Sequence, residues 1–243
     1  MSGSQDVGVT RALVVVAHPD DVDFGAGGTV ARWTAEGVTV TYCLVTAGDA
    51  GGFDLTVDRD QIPRIRADEQ RAAALALGVT DVRFLGYPDG RVTASYELRR
   101  DITRVIRSVR PQRVLLQSPQ WNFARIATSH PDHMAAAEAA WRAVYPDARN
   151  PFAHPQLLAE EGLADWTVTE VWMMGGPAPD VVVDVTETFP RKLAALRAHV
   201  SQTGHLGATL EPTVRGWLGE VARAGGLGPG RLAEAFNVYR MPD

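Results

Sequence analysis

Short apolar runs rich in β-branched residues alternate along the chain with stretches of helical periodicity. Runs such as Leu13-Val14-Val15-Val16 contain no polar position, which is typical of strands buried on both faces of a parallel sheet. The pattern predicts six strands, at Arg11–Ala17, Val38–Val45, Val82–Leu85, Val114–Gln117, Thr169–Met174 and Val181–Val185. It predicts helices at Gly27–Glu36, Arg64–Leu77, Tyr96–Val109, Asp132–Val144 and Glu187–Gln202, and a last helical region between Glu211 and Phe236.

This alternation predicts an α/β fold: a Rossmann-like, doubly wound, mostly parallel sheet with helices on both faces. The length of 243 residues fits one domain over residues 1–243, since no repeat or low-complexity linker divides it. In the common doubly wound strand order 3-2-1-4-5, strands 1 and 4 are neighbours. We therefore expect the ligand crevice to open between the carboxyl ends of these two strands.

The first predicted strand ends in a histidine and two carboxylates, in the sequence Ala17-His18-Pro19-Asp20-Asp21. Proline fixes φ and has no N–H, so the chain must leave the strand here. His18 and Asp21 can converge on one ion across the turn, and imidazole with carboxylate suits Zn²⁺ or a similar divalent metal. Asp20 would then point elsewhere and be free to accept a proton. The alternative is a polar turn in which Asp20 or Asp21 caps the next helix.

The glycines after the first strand, Gly25-Ala26-Gly27-Gly28, allow a second alternative, a dinucleotide-binding loop. That fingerprint requires the spacing G-x-G-x-x-G, and Val30 occupies the position of the third glycine. The histidine and aspartates also stand where its tight turn belongs. A nucleotide-binding or regulatory module without hydrolase activity is therefore the less favoured interpretation.

A second polar motif, Ser129-His130-Pro131-Asp132-His133, follows the predicted fourth strand and a long loop. Proline suits the first turn of a helix, and Ser129 can cap it. The alternative is an exposed His130 beside an Asp132 that only complements the helix dipole. Because strands 1 and 4 are expected to be neighbours, this motif and the first one should share one crevice.

The two motifs together predict a single metal site. We expect His18, Asp21 and His133 to bind the metal, with Asp20 and His130 on opposite sides of an open coordination position. Three protein ligands and an open position are typical of catalytic zinc, whereas structural zinc is closed by four ligands.

Charge and cysteine content narrow the class of protein further. The net charge of −5 argues against nucleic acid or an anionic membrane as a partner. Cys43 is the only cysteine, which excludes an internal disulfide framework and a cysteine metal cluster. No apolar run approaches the roughly 18 residues of a membrane helix, and the first residues lack the pattern of a signal peptide. We therefore expect a cytoplasmic protein with a small-molecule partner.

The motifs resemble those of the LmbE-like, or PIG-L, family of zinc-dependent N-acetylglucosaminyl deacetylases. Ala17-His18-Pro19-Asp20-Asp21 with Gly27-Gly28-Thr29 is similar to the opening motif of that family, and His130-Pro131-Asp132-His133 to its second metal motif. The resemblance covers nearly the whole chain. Supporting similarities are Thr46-Ala47-Gly48-Asp49, Arg66 with Glu69, Leu77-Gly78-Val79, Leu85-Gly86-Tyr87 with Asp89-Gly90, and Lys192 with Ala198-His199-Val200-Ser201-Gln202. Val22 stands where many members have glutamate.

The resemblance implies a hydrolase that removes an N-acetyl group from an N-acetylglucosamine-containing glycoside or conjugate by attack of a metal-activated water. The resemblance implies that His18, Asp21 and His133 bind zinc and that Asp20 abstracts a proton. It implies that His130 stabilises the oxyanion or protonates the amine, and that Asp132 orients or tunes His130. Arg66 matches a position that contacts substrate. The metal can instead be Fe²⁺ or another divalent ion, and the chain can form a homo-oligomer. Alternatives within this interpretation are an amidase for another amide, such as a thiol conjugate, and a catalytically silent metal-binding protein.

Two loops are long for their context, Ala47–Ile62 and Ser118–His130, and both follow predicted strands. Loops of this length at this edge of a sheet usually determine which ligand binds. Trp121 and Phe123 lie in the second loop, where they line a sugar-binding rim or close the core. His199 is expected to be a hydrogen-bonded packing residue.

Overall fold

The computed structural model describes residues 8–54 and 56–242, and its strands form one sheet. The strands are β1 (Arg11–Val16), β2 (Thr39–Thr46), β3 (Asp81–Tyr87), β4 (Arg113–Gln117), β5 (Glu170–Met174), β6 (Val181–Asp184) and β7 (Ala233–Arg240). Their order in the sheet is β3-β2-β1-β4-β5-β7-β6. The pairs among the first five strands are parallel, whereas β7 is antiparallel to both of its neighbours.

Helices cover both faces of this sheet. They are α1 (Asp21–Ala35), α2 (Ile62–Ala76), α3 (Tyr96–Val109), α4 (Pro131–Arg142), α5 (Pro155–Ala159), α6 (Phe189–Ala198), α7 (Val200–Thr203) and α8 (Leu210–Ala224). Within the described residues, no helix combines the length and the hydrophobicity needed to cross a lipid bilayer.

Alternate residues of β1 face two hydrophobic cores, one on each side of the sheet. Ala12, Val14 and Val16 pack with apolar residues of α1, α2, α6 and α8. Leu13 and Val15 pack with apolar residues of α3 and α4. Because both faces of β1 are buried, every position in it favours an apolar residue. The predicted α/β class and the predicted strand order 3-2-1-4-5 are confirmed.

Two helix predictions, Gly27–Glu36 and Glu187–Gln202, differ from the structure in where a helix begins or breaks. α1 begins at Asp21 rather than at Gly27, because Asp20 at φ +83° turns the chain directly from the loop into the helix. The predicted helix Glu187–Gln202 is interrupted at His199, whose ψ of 61° is not helical. The ring of His199 is buried against Asp23, so a tertiary contact determines the break.

The prediction of a helical region up to Phe236 was wrong in its second half. α8 ends at Ala224, and Gly225 and Gly226 follow it before the chain enters β7. β7 then inserts between β5 and β6. Its conformation depends on hydrogen bonds to both of these strands, which a local periodicity does not contain.

β7 also carries Glu234, which forms a buried ion pair with Lys192 of α6. Lys192 Nζ lies 2.7 Å from Glu234 Oε1 and donates hydrogen bonds to the carbonyl oxygens of Asp23 and Phe24. Glu234 accepts the backbone N–H of Gly28. The pair therefore ties β7 and α6 to α1, the helix that starts at the first polar motif.

Replacing Lys192 with methionine is expected to lower the free energy of unfolding by about 3 kcal/mol or more, because the Glu234 carboxylate is left buried and unpaired. Denaturant unfolding monitored by circular dichroism measures this change. The double variant Lys192→Met/Glu234→Gln is the matched control, and it should be more stable than the single variant. A single variant within about 1 kcal/mol of the wild type would contradict the prediction.

Candidate active site and metal centre

The parallel pairing of β1 and β4 brings the two polar motifs to the same edge of the sheet. The ring centroids of His18 and His133 lie 5.2 Å apart, and those of His18 and His130 lie 5.0 Å apart. The closest ligand atoms of the three histidines all lie within 4.8 Å of one another. Residues that are more than a hundred positions apart in the sequence thus form one cluster of imidazoles.

Asp21 joins the two motifs directly. Its Oδ1 lies 3.0 Å from His133 Nε2, and its Oδ2 lies 3.6 Å from His18 Nδ1. The backbone N–H of His18 donates to the same Oδ2 at 2.7 Å. Burial raises the pKa of Asp21, but the charge of His133 and the hydrogen bonds from both histidines outweigh it and hold that pKa well below its usual range. Asp21 is therefore an ionised carboxylate between the two imidazoles.

The other ring nitrogen of His18 faces two more carboxylates. Nε2 lies 2.9 Å from Asp89 Oδ1 and 3.2 Å from Asp132 Oδ2. Asp132 is buried and also accepts the backbone N–H groups of Gly90 and Val92. Burial lowers the pKa of His18, yet the hydrogen bonds and charges of Asp21 and Asp89 raise it to about 10. The surroundings of this ring therefore strongly favour a positive charge.

The donor atoms of this cluster fit a divalent cation. Imidazole nitrogens and carboxylate oxygens are the ligands that zinc and similar metals take in proteins. His18 has a carboxylate at each ring nitrogen, so one nitrogen can bind a cation while an outer carboxylate orients the ring through the other. The structure thus contains a His/Asp site that can hold a metal ion. His18 and His133 group there with His130, and the predicted ligand Asp21 contacts both His18 and His133.

Asp20 adopts a backbone conformation that is unusual for a non-glycine residue, with φ +83° and ψ −24°. It occupies the N-cap position of α1, but its side chain accepts no capping hydrogen bond there. The capping alternative is therefore wrong for Asp20. Burial and the charge of Asp21 raise the pKa of Asp20 to about 7, against the opposing charges of Arg66 and His199. A carboxylate with a pKa near neutrality is suited to accept and return a proton.

Arg66 lies inside the protein, with 5% of its surface exposed. Its guanidinium donates to the carbonyl oxygens of Gly48 (3.1 Å) and Pro19 (3.0 Å), and Nη2 lies 3.4 Å from Asp20 Oδ2. Gly48 has φ +72°, and a Cβ there would lie 2.3 Å from Arg66 Nη1, so only glycine fits. Arg66 therefore connects the loop after β2 to the loop after β1. Its predicted contact with substrate stays a prediction.

His130 occupies the N-cap of α4, where its Nδ1 accepts the backbone N–H of Asp132 at 3.2 Å. Burial and the positive charges of His18 and His133 lower the pKa of His130, against the opposing charges of Asp132 and Asp21. A ring whose Nδ1 accepts a hydrogen bond carries its proton on Nε2 when neutral. The carboxylate of Asp132 thus orients His18, and its N–H orients His130.

The family model described as GlcNAc-PI de-N-acetylase, or PIG-L, matches residues 13–144, which is more than half of the chain. The chain belongs to the PIG-L family. Both polar motifs and the four site carboxylates Asp20, Asp21, Asp89 and Asp132 lie inside the matched PIG-L segment.

Several proteins that are similar to this PIG-L chain are named as deacetylases. The chain is 36% identical over 202 residues to a probable N-acetyl-alpha-D-glucosaminyl L-malate deacetylase 2 of Bacillus cereus, covering 79% of the chain and 84% of the relative. It is 32% identical over 194 residues to diacetylchitobiose deacetylase of Thermococcus kodakarensis, covering 80% and 70%. A solved structure of N,N'-diacetylchitobiose deacetylase from Pyrococcus horikoshii superposes with a TM-score of 0.87 at 27% identity, covering 98% of this chain and 88% of that one.

These comparisons confirm the predicted PIG-L resemblance and the predicted enzyme class, since deacetylases of this kind hydrolyse carbon–nitrogen bonds other than peptide bonds. The structure also bears on the alternative of a dinucleotide-binding loop. Gly25 and Gly28 lie within α1, where a Cβ would approach Met174 Sδ to 2.4 Å and Val185 Cβ to 2.7 Å. In this PIG-L chain, the two glycines allow α1 to pack closely against Met174 and Val185. This packing explains why glycine stands at both positions, and a bound phosphate group is not needed to explain them.

Asp89 is the site residue to which the sequence analysis gave no role. Its Oδ2 accepts the backbone N–H of Ala50, and its own N–H donates to Asp49 Oδ1. Burial raises the pKa of Asp89, but the hydrogen bond and charge of His18 lower it to about 2. The available signal was its place in Leu85-Gly86-Tyr87-Pro88-Asp89-Gly90, directly after a strand of the PIG-L sheet.

The aromatic residues of the second long loop of this PIG-L chain lie at the surface. Trp121 and Phe123 are 53% and 81% exposed, and their rings stack in parallel with centroids 5.7 Å apart. The alternative in which they close the core is therefore wrong. His199 is fully buried and pairs with Asp23 at 2.8 Å, as a packing histidine should.

Proposed function

We propose that the chain is a zinc-dependent hydrolase that removes the N-acetyl group from an N-acetylglucosamine-containing glycoside or conjugate. The observation that carries this proposal is the convergence of His18, Asp21 and His133 beside the carboxylate of Asp20. The substrate class is supported by the relatives named as GlcNAc-malate and diacetylchitobiose deacetylases.

His18, Asp21 and His133 would hold the zinc ion, and Fe²⁺ fits the same donors. When bound, the metal supplies Lewis acidity that polarises the acetamide carbonyl and lowers the pKa of a water molecule. Asp89 and Asp132 hold the ring of His18 through Nε2. Outer carboxylates of this kind fix the orientation of a histidine ligand and raise its basicity.

Asp20 is the proposed general base. It would take a proton from the water that attacks the acetamide carbon and return it to the nitrogen of the leaving amine. The reaction breaks the carbon–nitrogen bond and gives acetate and a free amino sugar. Its buried position and the neighbouring Asp21 charge favour proton uptake, which an exposed aspartate would not achieve near neutral pH.

His130 is the proposed oxyanion donor. Since Nδ1 is engaged by the N–H of Asp132, the free N–H of a neutral ring lies on Nε2. A donor held in this way by a helix N-terminus stabilises developing negative charge without reorganising during the reaction. Arg66 stays the proposed substrate-binding residue, and its guanidinium lies 3.4 Å from the carboxylate of Asp20.

The proposal includes one cytoplasmic domain with a small-molecule partner. The segments after the matched family region support a single domain, because α6 packs on α1 and α2 and supplies Lys192 against α1. Its net charge of −5 supports a small molecule rather than a nucleic acid, and its one, buried cysteine fits a reducing compartment. Homo-oligomer formation stays a prediction that sedimentation analysis would test.

Acetate release from a panel of N-acetylated amino sugars tests the proposed function. The purified chain, reconstituted with Zn²⁺ and separately with Fe²⁺, is expected to release acetate from N-acetylglucosamine glycosides, and Asp20→Asn is the matched inactive control. Release from N-acylated thiol conjugates alone would support the amidase alternative. Zinc binding without acetate release from either class would refute the proposal in favour of a silent metal-binding protein.

A further inference from the structure

Two side chains of α2 hold the peptide group between Pro19 and Asp20 from opposite sides. Arg66 Nη2 donates to the carbonyl oxygen of Pro19 at 3.0 Å, and the N–H of Asp20 donates to Gln70 Oε1 at 2.8 Å. Arg66 and Gln70 are four residues apart, so they lie on the same face of the helix. Both are buried, and Gln70 has no exposed surface. One helix thus sets the orientation of this peptide plane.

The side-chain amide of Gln70 is itself held in one orientation. Its Nε2 donates to Asp23 Oδ2 at 2.9 Å, and the same oxygen lies 2.8 Å from His199 Nε2. Asp23 and His199 are fully buried. Because the amide nitrogen is the donor toward Asp23, the amide oxygen must face the N–H of Asp20. The buried series His199, Asp23 and Gln70 therefore ends on the backbone of Asp20.

This backbone needs such support, because Asp20 lies in the left-handed region at φ +83°. A residue with a Cβ is strained there and stays only where its surroundings fix it. If the Pro19–Asp20 peptide rotated, φ of Asp20 would change and its carboxylate would leave its place beside Asp21. The contacts of Arg66 and Gln70 oppose that rotation at both polar atoms of the peptide.

We propose that Gln70 is a positioning residue that holds Asp20 in its strained conformation, with the Asp23–His199 pair fixing the amide of Gln70. The catalytic consequence rests on the proposed function, in which Asp20 is the general base. The structural consequence does not, since it concerns only the peptide group of Asp20. The side-chain amide of Gln70 hydrogen-bonds to Asp20 and Asp23, neither of which belongs to the predicted metal-ligand set.

Hydrogen exchange of the Asp20 amide tests the structural consequence without any substrate. In the zinc-loaded wild-type protein this amide should exchange slowly, because Gln70 accepts its hydrogen bond. In Gln70→Met, which keeps the length of the side chain but removes donor and acceptor, the Asp20 amide should exchange at least about tenfold faster. NMR resolves this single amide, and amides within β1 serve as the internal reference. An Asp20 amide that is unprotected in the wild type overturns the proposal without the need for a variant.

The catalytic consequence is a selective loss of kcat. Gln70→Met should lower kcat about 10²-fold, the loss expected when a reacting group is misplaced by about 1 Å, while KM and zinc content change less than about threefold. Glu69→Gln is the matched control on the same helix, because the Glu69 carboxylate accepts its hydrogen bonds from the N–H and the hydroxyl of Ser201 rather than from the Pro19–Asp20 peptide. It should loosen the packing of α2 and leave kcat within about twofold.

The outcomes separate the two proposals. Unchanged Asp20 exchange and unchanged kcat in a folded Gln70→Met protein would overturn the positioning role. Equal losses of kcat in Gln70→Met and Glu69→Gln would also overturn it, since general loosening of α2 would then explain the effect. A wild-type protein without deacetylase activity would refute the proposed function, whereas the exchange measurement would still decide whether Gln70 holds Asp20.

Discussion

Replacing His133 with alanine is expected to abolish stoichiometric zinc binding and to lower the rate of acetate release about 10³-fold or more. His133 Nε2 lies 3.0 Å from Asp21 Oδ1, so its removal leaves His18 and Asp21 as the remaining members of the predicted ligand set. Loss of a Lewis acid removes several kcal/mol of transition-state stabilisation, which corresponds to this factor.

Elemental analysis of the purified variant and the zinc-induced rise of Tm measure the loss. Zinc binds the folded state and should raise the Tm of the wild type, whereas the Tm of His133→Ala should not respond. His205→Ala is the matched control, because His205 is an exposed histidine whose ring contacts Phe53 at an interplanar angle of 47° and lies outside the imidazole cluster. Full zinc occupancy in His133→Ala would eliminate this residue as a ligand.

The order of the central strands could be predicted because β1 to β5 have strong local patterns. A strand such as β1, which is buried on both faces, has a continuous run of apolar residues. Parallel strands also require long connections, usually helical, and the sequence shows helical periodicity between the strands. β7 could not be predicted in this way. Its residues, Ala233–Arg240, include polar side chains and follow a glycine-rich segment, and they form a strand through pairing with β5 and β6.

The candidate site could be predicted as far as its residues lie in the two histidine–aspartate motifs. Strand order alone then placed His18 and His133 together, and the structure gives a distance of 5.2 Å between their ring centroids. No role could be predicted for Asp89 or Gln70, since each contributes through hydrogen bonds to residues that are distant in sequence. A single carboxylate after β3, or a single glutamine on α2, has no spacing that distinguishes it from a surface residue.

The role of Asp132 shows the same limit within a motif. The family resemblance implies that Asp132 orients or tunes His130, whereas the structure directs the carboxylate of Asp132 to His18 and to the backbone of Gly90. The reason is the N-cap geometry: Asp132 follows Pro131 in the first turn of α4, so its N–H faces His130 Nδ1 while its side chain faces the neighbouring loop. The resemblance therefore implied the partner, His130, and the helix geometry determines that the backbone N–H of Asp132, not its carboxylate, contacts that ring.

Replacing Asp20 with asparagine is expected to lower kcat about 10²–10⁴-fold while zinc stays bound. Asparagine has nearly the same shape and keeps the backbone N–H that Gln70 accepts. It cannot accept the proton of the attacking water, so the proton transfer is removed while the shape of the side chain stays nearly the same. This separates Asp20→Asn from His133→Ala, in which activity and zinc are expected to disappear together.

The pH profile gives a second readout of the same change. Burial and the charge of Asp21 raise the pKa of Asp20 to about 7, and a cation bound next to it lowers that pKa because it stabilises the carboxylate. kcat/KM of the wild type should therefore rise with pH through a value below about 7, as Asp20 loses its proton and becomes a competent base. In Asp20→Asn this ascending limb should disappear, leaving a low and flatter rate. Near-normal turnover, or an unchanged limb in the variant, would show that another group accepts the proton.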